Sequence, residues 1–207
     1  MMNTYKPSFL YILKMRLKGK SFLYEYYFKN KKFLDIGCGE GELLKHDKKN
    51  GYGIDLNKRA IDKLVSQGYN AKVGDVKKID FQDELFEVVN CHNVIEHLPI
   101  ETAYQLLKEG ARVLKKDGLF ILSTEMITKK FWNTFGHIKP YPPQAIIRLL
   151  QRKESLEEFE GITELEYVNV LYFGDYYSNK LAYFVSVFVA YYLPIQRREY
   201  FLILRKK

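Results

Sequence analysis

The chain has 207 residues, 47% of them hydrophobic and 28% charged, with a net charge of +8. That length supports one domain with a core of its own, and the hydrophobic content excludes a disordered tail. The two cysteines, Cys38 and Cys91, exclude a disulfide framework and a cysteine metal cage, so the expected setting is cytoplasmic.

In chain order, residues 1–32 come first, with eight bases against the single acid Glu25. Their apolar piece FLYILKM is broken by Lys14, Arg16 follows, and no small-residue cleavage site is present, so this is not a clean signal peptide. KFLDIG then predicts a first strand, and GELLKHDKKN a helix stopped by Asn50 and Gly51. GYGIDL reads as a second strand. NKRAIDKLVSQG reads as a helix with Asn57 as N-cap and Gly68 as its stop. NAKVGDV and LFEVVNCHN predict strands three and four. The spacing of apolar residues predicts a helix over IETAYQLLKEGARVLKK, closed by Asp117 and Gly118, and LFILSTE a fifth strand. TKKFWNTFGHIKPYPPQ is aromatic, basic and broken by prolines, which predicts a loop over the sheet's edge. PQAIIRLLQRK is a short helix with Pro143 at its start. ITELEYVNVLYF predicts a sixth strand, the apolar run at 181–195 a helix, and REYFLILRKK a seventh strand. The run at 181–195 is shorter than the roughly 20 apolar residues that span a bilayer. Short apolar runs alternating with longer amphipathic ones mark an α/β sheet with helices on its faces.

Gly37, Gly39 and Gly41 lie between a predicted strand and a predicted helix, where a ligand can meet bare backbone at the carboxyl ends of the strands. A dinucleotide fingerprint, G-x-G-x-x-G/A, wants a small residue at position 42, where this chain has Glu42. Asp35, Glu40 and Glu42 crowd the loop, and a cationic ligand tolerates them better than a pyrophosphate does. Asp55 ends strand two, where a carboxylate can accept from both hydroxyls of a ribose. Asp75, in the GDV turn after strand three, is placed to accept from an exocyclic amine.

These stretches together resemble the class I S-adenosylmethionine-dependent methyltransferases. LDIGCGEGELL resembles that family's glycine loop, GYGIDL its ribose strand and VGDV its adenine turn. FEVVNCHNVIEHLP followed by LLKEGARVLKKDGLFILST is similar to the subgroup with a V-L-E-H-L stretch after strand four, and GHIKPYPPQAIIRLL is similar to the same subgroup. The likeness covers residues 33–125 well. It implies one Rossmann-like domain over 1–207: a doubly wound seven-stranded sheet, mostly parallel with an antiparallel last strand, and helices on both faces. Within it, 1–32 would be a basic, aromatic helical segment, 33–125 the cofactor-binding core and 126–207 the acceptor side.

The resemblance further implies S-adenosyl-L-methionine as cofactor and S-adenosyl-L-homocysteine as product. Asp35, Cys38 and the backbone of Gly37, Gly39 and Gly41 would face the cofactor's amino acid end. Asp55 would bind the ribose, Leu56 the adenine face, and Asp75 with Val76 the adenine edge. His92 and Asn93 would lie near the sulfonium and the acceptor. His92, Glu96 and His97 are the candidate catalytic residues, with His137 also near the acceptor. A metal is not expected: related O-methyltransferases take ligands from E-x-x-E-H, and Asn93 here replaces the first carboxylate, which weakens a hard-cation site.

The segments outside the core bear on the acceptor. Their aromatic and branched residues suit a small or lipid-like molecule. Basic termini, including Arg197, Arg198, Arg205, Lys206 and Lys207, also suit RNA or peripheral contact with an anionic membrane. Three functions follow: a methyltransferase for a small-molecule or lipid-like acceptor, an RNA methyltransferase, and a SAM-binding partner subunit without catalysis. The strand-four end lacks the N/D-P-P-Y/F sequence of amino-group methylation on bases, which weighs against RNA.

Overall fold

A computed structural model describes residues 24–151, 159–173, 181, 182, 185, 186, 189, 193 and 197–207. Most of the basic segment at 1–32 and most of the apolar run at 181–195 lie outside the described residues.

The described strands are β1 (Phe33–Ile36), β2 (Gly51–Asp55), β3 (Asn70–Val73), β4 (Phe86–His92), β5 (Leu114–Glu125), β6 (Leu165–Phe173) and β7 (Glu199–Lys206). They form one sheet in the order β3-β2-β1-β4-β5-β7-β6. β1 to β5 pair in parallel, and β7 runs antiparallel between β5 and β6. After β1 the chain moves outward through β2 and β3, then returns to lay β4 on the other side of β1. This reversal opens a crevice at the carboxyl ends of β1 and β4, where ligands of open α/β sheets bind.

Side-chain alternation divides the core between the two faces of the sheet. Phe33, Val88, Ile121, Phe201 and Ile203 point to one face, under Tyr24, Tyr27, Phe28, Leu44 and helix α1 (Lys58–Ser66). Leu34, Ile36, Val89, Cys91, Phe120, Leu122, Leu202 and Leu204 point to the other, under helices α2 (Ile100–Val113) and α4 (Pro143–Gln151). The short α3 (Lys129–Trp132) lies in the aromatic loop before α4. Asn57 caps α1 by accepting from the Ala60 amide at 3.2 Å, and Gly68 follows it at φ 79°.

Two expected helices are shorter than the spacing suggests. Over 41–50 only the 3-10 turn Leu44–His46 forms. Asp47 is extended, at φ −156°, and its carboxylate accepts from the Lys49 and Asn50 amides, each at 3.0 Å. An aspartate that serves the backbone ahead of it offers a turn in place of a helix. The helix expected to Lys116 ends at Val113, because buried Leu114 already pairs with Phe86 in the sheet. Lys115, Lys116 and Asp117 then stand out in a bulge, with Asp117 at φ 62°, before Leu119 rejoins β4 opposite Val88.

Candidate active site

The chain leaves β1 through a loop whose glycines all have positive φ: 72° at Gly37, 50° at Gly39 and 73° at Gly41. A Cβ at Gly37 would sit 2.3 Å from Val94 Cγ2, and one at Gly41 2.5 Å from Leu64 Cδ2. These two positions therefore need glycine for packing as well as for conformation. Gly39 differs, since a Cβ there would meet no atom within 4 Å. Its bare backbone faces space that a ligand can occupy. The loop is tied to β2: the Gly37 and Cys38 amides donate to the Ile54 carbonyl at 2.8 and 3.1 Å. Asp55 completes the tie, accepting from the Gly39 amide at 2.9 Å and the Asn57 amide at 2.8 Å.

Beside this loop lies a cleft of about 730 Å³. Its floor is polar, with Asp35 from β1 and Asn90 and His92 from β4; Gly37, Cys38 and Glu42 come from the loop, and Phe28 and Phe201 add apolar walls. Asp35 is 6% exposed and accepts from Asn90 Nδ2 at 2.7 Å. Burial, helped by Asp35 and Asp55, pushes the Cys38 thiol up to about 12, so it stays protonated and unreactive. His92 stacks on Phe201 at 5.7 Å and places Nδ1 2.5 Å from Ser123 Oγ and 3.5 Å from Glu199 Oε1.

The sequence candidates thus fall into separate places. Asp35, Gly37, Cys38 and His92 line the cleft. Asp55 braces the loop, while Leu56 and Asp75 are exposed beyond it and Val76 is buried beside Asp75. Asn93, at φ 53°, lines a different hollow with Glu125, Lys130, Arg198 and Glu199. Glu96 turns to the other face of the sheet, close enough to Cys91 and Tyr200 to raise both of their ionisations, though burial is the larger cause. Burial also raises the Glu96 carboxyl.

Glu96, His97 and His137 form a cluster of their own, with one ligand atom from each within 4.8 Å of the others. His97 Nδ1 meets the Gly136 carbonyl and His137 Nδ1 the Phe131 carbonyl, each at 2.9 Å. A carbonyl only accepts, so both rings carry a proton on Nδ1; in the neutral form Nε2 then has the lone pair that binds metals. Ligands around a tetrahedral zinc stand roughly 3.4 Å apart. To hold such an ion the three groups would have to close by up to about 1.4 Å.

Asn90, Phe201 and Phe28 were not singled out from the sequence. Asn90 had a signal, a lone amide within the apolar run of strand four. Phe201 and Phe28 had none: Phe201 reaches the cleft only through the sheet order, and Phe28 comes from the helical turn Tyr24–Phe28 ahead of β1.

Residues 34–122 match the family model described as a methyltransferase domain. Over these residues, somewhat less than half of the chain, it is similar to methyltransferase domains. The curated ubiquinone biosynthesis O-methyltransferase of Coxiella burnetii is 27% identical over 105 residues, 46% of this chain and 44% of that protein. The chain therefore matches less than half the length of that relative. The protein of the same description from Aliivibrio fischeri is 29% identical over 161 residues, 66% of this chain and 68% of that one. Among solved structures, a SAM-dependent methyltransferase from Archaeoglobus fulgidus superposes with a TM-score of 0.62 at 24% identity, covering 98% of this chain and 96% of its own. That likeness extends the methyltransferase fold past the matched segment to the last strands. S-adenosylmethionine is the cofactor that goes with such domains, and the open backbone at Gly39 beside the cleft fits it. No described helix of the chain is long and apolar enough to cross a membrane.

Proposed function

We propose that the chain transfers a methyl group from S-adenosylmethionine to a small or lipid-like acceptor by in-line displacement. The observation that carries this reading is the cleft itself, a mainly apolar pocket at the ends of β1 and β4 with Asp35, Asn90 and His92 on its floor, beside a glycine loop with open backbone at Gly39. Asp35 and the loop backbone would hold the amino acid end of the cofactor, and Asp55 the ribose. Leu56, Asp75 and Val76 would hold the adenine, on the open side of β2 and β3. The cofactor supplies a methyl already activated by the positive sulfur. The protein's work is then to align a nucleophile and, for a hydroxyl acceptor, to take its proton. His92 lines the cleft from the end of β4 and is the base proposed for that task. The names of the curated relatives, which are O-methyltransferases of ubiquinone biosynthesis, support a lipid-like hydroxyl acceptor.

The test is one incubation of the chain with methyl-labelled cofactor and a cell extract, followed by separation into organic-soluble, RNA and protein fractions. Label is expected in the organic-soluble fraction. Label confined to RNA, or to protein, would replace this reading.

A further inference from the structure

His92 lies where three strands bring polar groups together on one face of the sheet. It pairs in register with Ser123 on β5, and Ser123 pairs with Phe201 on β7. Glu199 lies two residues before Phe201, so strand alternation puts it on the same face. The side chains meet accordingly: His92 stacks on Phe201, and its Nδ1 faces Ser123 Oγ at 2.5 Å and Glu199 Oε1 at 3.5 Å. His92 and Glu199 are each 29% exposed, half-sheltered from solvent, where a carboxylate acts strongly on an imidazole.

We propose that Glu199 is the positioning residue that makes His92 a proton acceptor for a hydroxyl substrate. It favours the tautomer with the proton on Nδ1, bonded to Ser123, and leaves Nε2 as the basic atom of a ring that lines the cleft. This rests on the methyltransferase reading above. When a hydroxyl is methylated, its oxygen forms the bond to the methyl carbon, and the pair of the broken carbon–sulfur bond stays on sulfur. The hydroxyl proton passes to His92 Nε2. Positive charge thus moves from the sulfonium to an imidazolium beside Glu199, and later leaves as a proton to water. The orienting carboxylate comes from β7 and the base from β4, the division of labour that fixes a catalytic histidine's tautomer.

Other charged groups act on the same ring. Asp35 from β1 and Glu42 and His46 from the following loop share the cleft with His92. Glu125, Lys130 and Arg198 surround Glu199 in the adjoining hollow. Glu199 places a carboxylate oxygen 3.5 Å from the ring nitrogen, so its removal should change the titration.

The experiment is nuclear magnetic resonance of the intact chain with labelled histidine, assigned by loss of the His92→Gln signal. At high pH the wild-type His92 nitrogen shifts should show the proton on Nδ1. In Glu199→Gln its pKa should fall by about one pH unit, a tenfold change. Glu199→Asp, which keeps the charge, should recover part of that fall. A proton on Nε2 in the wild type, or an unchanged pKa in Glu199→Gln, would overturn the proposal, and the first result needs no variant to fold. S-adenosylhomocysteine binding to the wild type, measured by calorimetry, reports separately on the cofactor reading, whose failure would leave the titration result standing.

Discussion

Asp55 uses its carboxylate twice before any ligand arrives. Each oxygen accepts one backbone amide, from Gly39 and from Asn57, and each keeps a further lone pair. The residue can therefore bind a ribose and hold the glycine loop against β2 at once. Bonds to a charged acceptor contribute about 1.5–3 kcal/mol each. Asp55→Ala is accordingly expected to weaken S-adenosylhomocysteine binding by at least about tenfold, measured by calorimetry. Equal binding in the variant would remove Asp55 from the ribose. Asp55 is legible in the sequence because acid, strand end and following N-cap are adjacent in the chain. Phe201 and Glu199 are not, since they lie more than a hundred residues beyond His92 and meet it only through the strand order. Nor does the sequence separate His92 from Glu96. Four positions apart on paper, they lie on opposite faces of the sheet.

The segment after β3 that carries Asp75 and Val76 is held by a cluster on α2. The segment from Asp75 to Leu85 has no helix or strand of its own, and Arg112 replaces that support. Its guanidinium donates to the carbonyls of Ile79 and Phe81, at 2.7 and 2.8 Å, and to Asp83 at 2.7 Å. Glu109 accepts from Arg112 through both oxygens and from the Ile79 amide at 2.7 Å. The hydrogen bond from Arg112 is the main reason that the Glu109 carboxyl lies below its usual range. A lowered carboxyl stabilises the fold above its unfolded value of about 4.3 and loses that contribution as pH falls through the folded one. Glu109→Gln keeps the shape and loses the charge, which should cost about 1–2 kcal/mol at neutral pH. For a chain of this size that lowers the melting temperature by roughly 2–4 °C per kcal/mol. The gap should shrink as both proteins are melted at pH values falling from about 4.3 through the lowered folded value, below which the wild-type carboxyl is also neutral. A constant gap across pH would assign the effect to packing alone. The amphipathic pattern of α2 was plain in the sequence. That Glu109 and Arg112 clamp a loop about thirty residues earlier was not, since on paper they read as an ordinary i,i+3 surface pair.

At the scale of the whole molecule, the sheet depends on a strand formed from residues 199–206. β7 pairs with β5 over seven residues and with β6 over eight, so the strand that follows every other element in sequence is interior in space. Tyr200, Phe201, Leu202, Ile203 and Leu204 are all buried, and Tyr200 donates its hydroxyl hydrogen to the Tyr141 carbonyl on the α4 side. Burying a side chain of this size stabilises by roughly 1.5–3 kcal/mol, so the five together contribute on the order of 10 kcal/mol, comparable with the whole net stability of a domain. Apolar residues without a break from Tyr200 to Leu204 do mark a strand covered on both faces, and this much is legible in the sequence. Their place between β5 and β6 follows only from the family likeness, because periodicity carries no information about neighbours. The same strand supplies Phe201 to the cleft and Glu199 to His92, so fold and site share one dependence. A chain shortened to residue 198 is therefore expected to show no cooperative thermal unfolding by circular dichroism and no binding of S-adenosylhomocysteine. A shortened chain that melts cooperatively and still binds would mean that residues 33–125 fold and hold the cofactor alone, and that β7 serves only the acceptor side.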